Sequence, residues 1–284
     1  MIGRAPSVMT HGADTAGRIT RLPGGVAMNV ATALAGHGMR CILLSALGND
    51  PEGRALVAHA RALGLNVDHL HLSDMPTDRY MAIEGENGLI AAIADARSLE
   101  AAGGAILAPL MDGRLASTHN PWSGMIALDG NLTAGLLAEI ARGAAFARAD
   151  LRVAPASPGK AARLKAFLGH ERATLYVNLL EAGILLGNRP RDAAKAAAAL
   201  HARGARRVLV TDGPRAAALV GPEGLFTATP PPVTVHRVTG AGDSLMAAHM
   251  VAELRGLSPG KALVHALGAA ARHVSQSSTE QAAT

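Results

Sequence analysis

Short aliphatic or β-branched runs alternate with alanine-rich segments of helical period along most of the chain. The runs "RCILLSALG" (40–48), "GMIALDGN" (124–131), "ATLYVN" (173–178), "RRVLVTDG" (206–213) and "PPVTVHRV" (231–238) have strand length and predict five strands. The segments between and after them predict helices. "PEGRALVAHARALG" (51–64) has Pro51 in its first turn and Gly64 at its end, and "TAGLLAEIARGAAF" (133–146) follows a strand directly. Further helices are expected at 190–203, 242–255 and 259–275. Such alternation predicts an α/β fold with a mainly parallel central sheet and helices on both faces.

One segment breaks the alternation. "TDRYMAIEGENGLIAAIAD" (77–95) holds two strand-like runs around "GENG" and predicts an antiparallel hairpin. With the polar stretch 4–22 it reads as a small β-strand lid, or flap. The expected division is a lid from 1–22 and 73–98 and an α/β core from 23–72 and 99–284. The tail "SQSSTEQAAT" (275–284) is low in apolar residues and is expected to fray.

Composition narrows the class. A chain of 284 residues buries a substantial core, and with aromatics at 2% that core is built from Leu, Val, Ile and Ala. No apolar run reaches the length of a membrane span, and residues 1–20 lack the apolar centre of a signal peptide. The single cysteine, Cys41, excludes an intrachain disulfide. These features point to a cytoplasmic protein with no membrane partner. The net charge is +5, but the cations are scattered and few aromatics remain to stack on bases, which argues against nucleic acid. The twelve histidines show no metal-ligand spacing.

The candidate chemistry gathers at strand-to-helix junctions, where open parallel sheets bind ligands. In "HRVTGAGDSLMAAHM" (236–250) the glycines of Gly240-Ala241-Gly242 open a helix. Free amides at a helix start carry partial positive charge, and glycine lets a ligand approach the backbone, so the turn reads as an anion hole for a phosphoryl group. Asp243 follows it, placed to take a proton from a hydroxyl attacking phosphorus. Taken alone, Asp243 reads more readily as a helix-start acid favoured by the dipole.

Three companions strengthen the reading. In "LPGGVAMNVATALAGHG" (22–38), Gly24 and Gly25 open a helix and Asn29 lies one turn on, a pattern suited to a polyhydroxylated ligand. In "VNLLEAGILLG" (177–187), Asn178 ends a strand and Glu181 follows in the first helical turn. That pair fits either a water-held Mg²⁺ ion or a plain capping pair. In "VLVTDG" (208–213), Thr211 and Gly213 end a strand where a nucleotide would rest on backbone.

These motifs in this order, together with the lid, resemble the ribokinase-like (PfkB) family of sugar and nucleoside kinases from about residue 20 to 275. "GGVAMNVATALAGHGMRCILLSALGNDPEG" is similar to the family's N-terminal signature and "VTGAGDSLMAA" to its more specific C-terminal one. The resemblance implies a three-layer αβα sandwich with ATP and Mg²⁺ as cofactors, and K⁺ as a candidate monovalent cation. It implies Asp243 as catalytic base and Gly240, Ala241 and Gly242 as anion hole. Gly24, Gly25 and Asn29 would contact the sugar. Asn178, Thr211 and Gly213 would serve ATP, and Glu181 would hold Mg²⁺ through water. A homodimer through the lid is also implied.

Within the family, "PTDRYMAIEGENGLIAAIAD", "ALDGNLT", "VAPASPGKAARL" and "VNLLEAGILLG" are most similar to the pseudouridine kinases, with Asp95 ending the flap strand and Asp129 and Asn131 in an Asp-x-Asn-Leu element. The implied reaction is transfer of the ATP γ-phosphoryl group to the 5′-hydroxyl of pseudouridine. The alternatives are another nucleoside or sugar, or a truncated non-catalytic relative.

Two departures stand out. The family's first strand, with its sugar-binding Asp, is expected to be missing, and Asp14 is no obvious replacement. Its loss would leave neighbouring strands unpaired, so an upstream start or a truncated product is expected. Arg237 stands where many members have Asp or Asn, in a region that helps hold a monovalent cation through backbone oxygens. Its side chain either disturbs that ion or stands in for its charge.

Overall fold

The computed structural model describes residues 1–10, 12–85 and 88–276. In chain order the elements are β1 (Ile2–Arg4), β2 (Arg18–Thr20), α1 (Val26–Gly36), β3 (Ala46–Gly48), α2 (Pro51–Ala62), β4 (His71–Ser73), β5 (Arg79–Gly85) and β6 (Gly88–Asp95). Then come α3 (Arg97–Ala102), α4 (Ala108–Met111), β7 (Met125–Asp129), α5 (Ala134–Arg142), β8 (Asp150–Ala154), β9 (Ala173–Asn178), α6 (Leu179–Leu186) and α7 (Ala193–Ala202). The chain continues through β10 (Arg207–Asp212), β11 (Arg215–Gly221), β12 (Gly224–Ala228), α8 (Ala241–Leu254) and α9 (Pro259–Ser275).

Six strands form the main sheet in the order β12-β11-β10-β9-β8-β7. The four from β7 to β10 run parallel, with Val208 opposite Leu175 and Leu151 opposite Ala173. Because side chains alternate along a strand, each face of this sheet builds its own core. Leu151, Val153, Leu175, Val177, Val208 and Val210 pack with α5, α6 and α7 on one face. Tyr176 and Leu209 pack with α1, α8 and α9 on the other. The result is the expected three-layer α/β sandwich. Among the described residues no helix is long and apolar enough to cross a membrane.

The strand expectations need three corrections. Residues 231–238 form no strand: three prolines, Pro230, Pro231 and Pro232, remove the N–H donors a ladder needs. That segment is instead tied to α9 by the His236 and Arg237 amides, which donate to the Val274 carbonyl at 2.8 and 3.2 Å. Within 40–48 only β3 is a strand, with a single bridge from Ile42 to Asn66. Conversely β8, β11 and β12 carry no earlier expectation. The last two join β10 antiparallel and make the sheet mixed.

A second sheet has the order β2-β1-β5-β6. β1 lies parallel to β5 and antiparallel to β2, so residues 2–4, 18–20, 79–85 and 88–95 share one layer. Register places Ile19, Ile83, Met81 and Ile93 on a common face, and all four are exposed. Glu86 and Asn87 of the "GENG" turn lie outside the described residues, as does most of the tail. β7 ends the main sheet on one side, while β3 and β4 pair separately. Asp14 is exposed.

Candidate active site

The parallel strands β7, β9 and β10 present their carboxyl ends, Asp129, Asn178 and Thr211, along one edge of the sheet. The N-termini of α1 and α8 join them there. α1 is capped by Gly25 at φ +105°, a backbone state strained for any other residue, and the Asn29 amide donates to the Gly25 carbonyl at 2.9 Å. Gly24 and Gly25 are both exposed, with open space where a side chain would stand.

α8 is capped by Gly240 in the left-handed region at φ +86°. The Ala241 amide donates to the Val238 carbonyl at 3.1 Å, and the helical ladder begins with Ser244 donating to Gly240 at 3.0 Å. Helix geometry therefore leaves the Gly242 and Asp243 amides without an intrahelical acceptor. The expectation that Gly240, Ala241 and Gly242 all present amides is narrowed accordingly: the Ala241 N–H is already used inside the turn. Gly242 is exposed, with open space around its Cα.

The two signatures, 214 residues apart, meet directly. Asn29 Nδ2 donates to Asp243 Oδ2 at 2.7 Å. Burial raises the Asp243 pKa to about 6; the Asn29 hydrogen bond opposes the rise and the nearby Asp129 charge adds to it. Asp129 is itself pushed up by burial, against the Asn131 hydrogen bonds and the Lys160 charge. Asn131 N donates to Asp129 Oδ1 at 2.7 Å, and Lys160 Nζ donates to Asn131 Oδ1 at 2.5 Å. Arg163 Nη1 donates to the carbonyls of Gly130 and Leu132, each at 3.0 Å, and so fixes the loop after β7.

Lys160 and Arg163 are functional candidates that sequence reasoning did not single out, although "VAPASPGKAARL" contains both. Ala156, just before them, has φ +67° and is the one described non-glycine residue with positive φ, a strain of the kind that gathers at binding sites. A cleft lined by Ile93, Asp95, Arg97, Glu100 and Lys160 runs from the end of β6 to this cluster. The Asp95 carboxylate receives Arg97 Nε at 2.9 Å and Nη2 at 2.8 Å.

Along the same edge of the sheet, Thr211 and Asn178 are register partners across β10 and β9. The β10–β11 ladder shifts between Val210 and Asp212, so Thr211 has no register partner on β11, and Gly213 turns out to solvent at φ +56°. Asn178 and Glu181 form a reciprocal capping box: Asn178 Oδ1 accepts from the Glu181 amide and Glu181 Oε2 accepts from the Asn178 amide, both at 2.9 Å. Burial raises the Glu181 pKa. Among the described residues no group of three His, Cys, Asp or Glu side chains could hold a metal. The Glu181 carboxylate, committed in part to the capping box, is a single hard oxygen donor, which fits a Mg²⁺ ion that keeps its waters rather than an all-protein cage.

Residues 5–284 match the pfkB family carbohydrate kinases. The chain is 31% identical over 254 residues to the pseudouridine kinase of Escherichia coli, covering 86% of this chain and 77% of that protein. It is 30% identical over 265 residues to the uncharacterized sugar kinase YeiI of the same organism, covering 90% and 70%. Its fold is similar to that of Arabidopsis thaliana ribokinase complexed with ribose and ATP, with a TM-score of 0.76 at 21% identity over 96% of this chain and 88% of that one. The protein belongs to the PfkB family of carbohydrate kinases. It is a phosphotransferase acting on a hydroxyl group.

Proposed function

We propose that the protein transfers the γ-phosphoryl group of ATP to the 5′-hydroxyl of pseudouridine. The observation that carries this reading is the 2.7 Å contact between Asn29 and Asp243. It joins the glycine-opened helix that would hold the acceptor's sugar, through Gly24, Gly25 and Asn29, to the carboxylate that would take its proton. Similarity to a pseudouridine kinase over most of the chain supports the choice of acceptor.

In this mechanism the hydroxyl oxygen bonds to the γ-phosphorus as its proton passes to Asp243. The bond from phosphorus to the bridging oxygen breaks and ADP leaves. The Gly242 and Asp243 amides, held by the Gly240–Ala241 turn, take up charge on the phosphoryl oxygens. Asn178, Thr211 and Gly213 line the nucleotide. Mg²⁺, held through water by Glu181, supplies further neutralisation of the phosphate oxygens when bound. The four-stranded sheet acts as the lid, and β6 brings Asp95 to the acceptor cleft.

The test is ADP release from ATP and Mg²⁺ with pseudouridine, uridine, ribose or no acceptor. Strong stimulation by pseudouridine alone is expected. Equal or better stimulation by another compound would replace the acceptor and favour a second reading, a PfkB kinase for a different nucleoside or sugar, which the similarity to a sugar kinase supports. Arg237 Nε already places a cation 3.1 Å from the His273 carbonyl, so turnover is expected to persist without K⁺. The exposed row of Ile19, Met81, Ile83 and Ile93 is the surface we assign to a homodimer. Ile19→Asp with Ile83→Asp should shift the sedimentation coefficient to that of a monomer. A wild-type monomer would remove this part of the reading.

A further inference from the structure

The turn that carries the anion hole does not stand by itself. The last turn of α9 places His273 directly beneath it. His273 Nε2 lies 2.9 Å from the Thr239 carbonyl and Nδ1 lies 2.9 Å from Ser244 Oγ. Thr239 precedes the Gly240–Asp243 stretch and Ser244 follows it, so one imidazole grips both of its ends. A Cβ on Gly240 would come within 2.9 Å of His273 Nε2, which leaves room only for glycine there.

The hydrogen-bond chemistry admits one arrangement. The Thr239 carbonyl only accepts, so Nε2 carries the proton and Nδ1 offers its lone pair. That lone pair faces Arg237 Nη2 at 3.1 Å as well as the Ser244 hydroxyl. Arg237 Nε donates to the His273 carbonyl at 3.1 Å, and Nη2 also reaches Gln276 Oε1 at 3.1 Å. The guanidinium fork thus fixes the backbone and the ring of the same histidine. Burial, with the Arg237 charge adding to it, lowers the His273 pKa and keeps the ring neutral, against the hydrogen bond to Thr239.

We propose that Arg237 and His273 are positioning residues for phosphoryl transfer: Arg237 locks His273 in one tautomer, and His273 holds the Thr239–Ser244 turn in the shape that aims the Gly242 and Asp243 amides and the Asp243 carboxylate. This rests on the phosphotransfer reading of that turn. Neither side chain needs to touch substrate, so their loss should appear in kcat far more than in KM.

The experiment compares wild type, Arg237→Ala, His273→Ala and His273→Gln as full chains, using the best acceptor from the ADP-release panel. Gln can place its Nε2 where the imidazole Nε2 stands and restore the bond to Thr239. Both alanine variants should lose about tenfold to a hundredfold in kcat with acceptor KM within about twofold, the scale expected when catalytic groups shift by about an ångström. His273→Gln should recover most of the loss, and guanidinium ion in the buffer should partly rescue Arg237→Ala. Unchanged kcat in either folded alanine variant would overturn the proposal. A fall in melting temperature and activity together, with neither rescue, would overturn it too, by showing a merely structural role.

Hydrogen exchange separates this outcome from a failure of the phosphotransfer reading. The Ala241 and Ser244 amides, both bonded within the turn, should exchange faster in Arg237→Ala. If wild type phosphorylates no acceptor, that reading fails alone, and unchanged exchange at those two amides would then sink the prop as well.

Discussion

Asp243 sits where its protonation state governs both turnover and stability. With a pKa of about 6 it is ionised at neutral pH yet basic enough to accept a proton. The acid limb of kcat/KM should therefore rise with unit slope and level off above about pH 6. Asp243→Asn should lose about 10²- to 10⁴-fold in kcat, and Asn29→Ala, which removes the opposing hydrogen bond, should move the limb to higher pH. The stability effect has the opposite sign. A carboxyl whose folded pKa lies above its unfolded value binds its proton more tightly when folded. That contribution is complete below the unfolded value near 3.8 and is lost as pH rises through 6. Above pH 6 the buried charge costs on the order of 3 kcal/mol. Asp243→Asn should melt higher than wild type at pH 8, and the two should converge near pH 3 in matched thermal scans. An Asp243→Asn protein with no gain at pH 8 would mean the carboxylate is better solvated than its burial implies. Each partner of this pair was legible at its own helix mouth, but nothing in the sequence could bring Asn29 and Asp243 into contact. Lys160 escaped notice for a different reason: after Ser157-Pro158-Gly159 it resembles an ordinary surface-turn lysine.

Elements were legible where local pattern and tertiary role agreed. α2 begins at Pro51, as its sequence predicts, with Asp50 capping it by accepting from the Gly53 amide at 2.7 Å. β7, β9 and β10 fall inside the aliphatic runs that predicted them. β8 did not show, because "DLRVA" places an arginine inside the sheet, and only ion pairing makes Arg152 tolerable there. The opposite error arose at 231–238, where β-branched residues follow prolines and the alternating pattern never finds a ladder. Asn178 and Glu181 illustrate an element serving two ends. Their capping box starts α6, so Asn178→Ala should cost about 1 kcal/mol in chemical unfolding. If Glu181 also holds Mg²⁺ through water, Glu181→Gln should raise the Mg²⁺ concentration needed for half-maximal turnover well beyond what that stability loss explains. Coincident Mg²⁺ titrations for Glu181→Gln and wild type would leave Glu181 with its capping role alone.

At the scale of the whole molecule, the helix that carries Asp243 at its start is clamped to the sheet at its other end. Glu253, ten residues on, pairs with both Arg152 of β8 and Arg207 of β10. Arg152 is also held by Asp150, at 2.8 and 2.6 Å, and by the Tyr176 hydroxyl at 3.1 Å. That hydroxyl lies 2.9 Å from His249 Nδ1, and burial lowers the His249 pKa to about 4, so the imidazole stays neutral. Three strands and α8 thus meet in one buried polar cluster. Removing Glu253 leaves Arg152 its Asp150 partner but takes the counter-ion from Arg207, which is largely buried, so Glu253→Leu should destabilise the protein by about 3–5 kcal/mol. The triple variant Arg152→Met, Arg207→Met, Glu253→Leu removes both cations with Glu253, leaves the 36% exposed Asp150 side chain to solvent, and should recover much of that loss, since apolar replacement of a buried ion cluster is often neutral. Helix geometry places Glu253 about 15 Å along α8 from Asp243, so kcat/KM per folded molecule should stay near wild type in both variants. Urea unfolding together with active-site titration measures the two quantities separately. If the triple variant is no more stable than Glu253→Leu, the cluster contributes net stability of its own. If turnover per folded molecule falls with it, the clamp at the far end of α8 reaches the phosphate turn, and the helix must be regarded as one rigid lever between them.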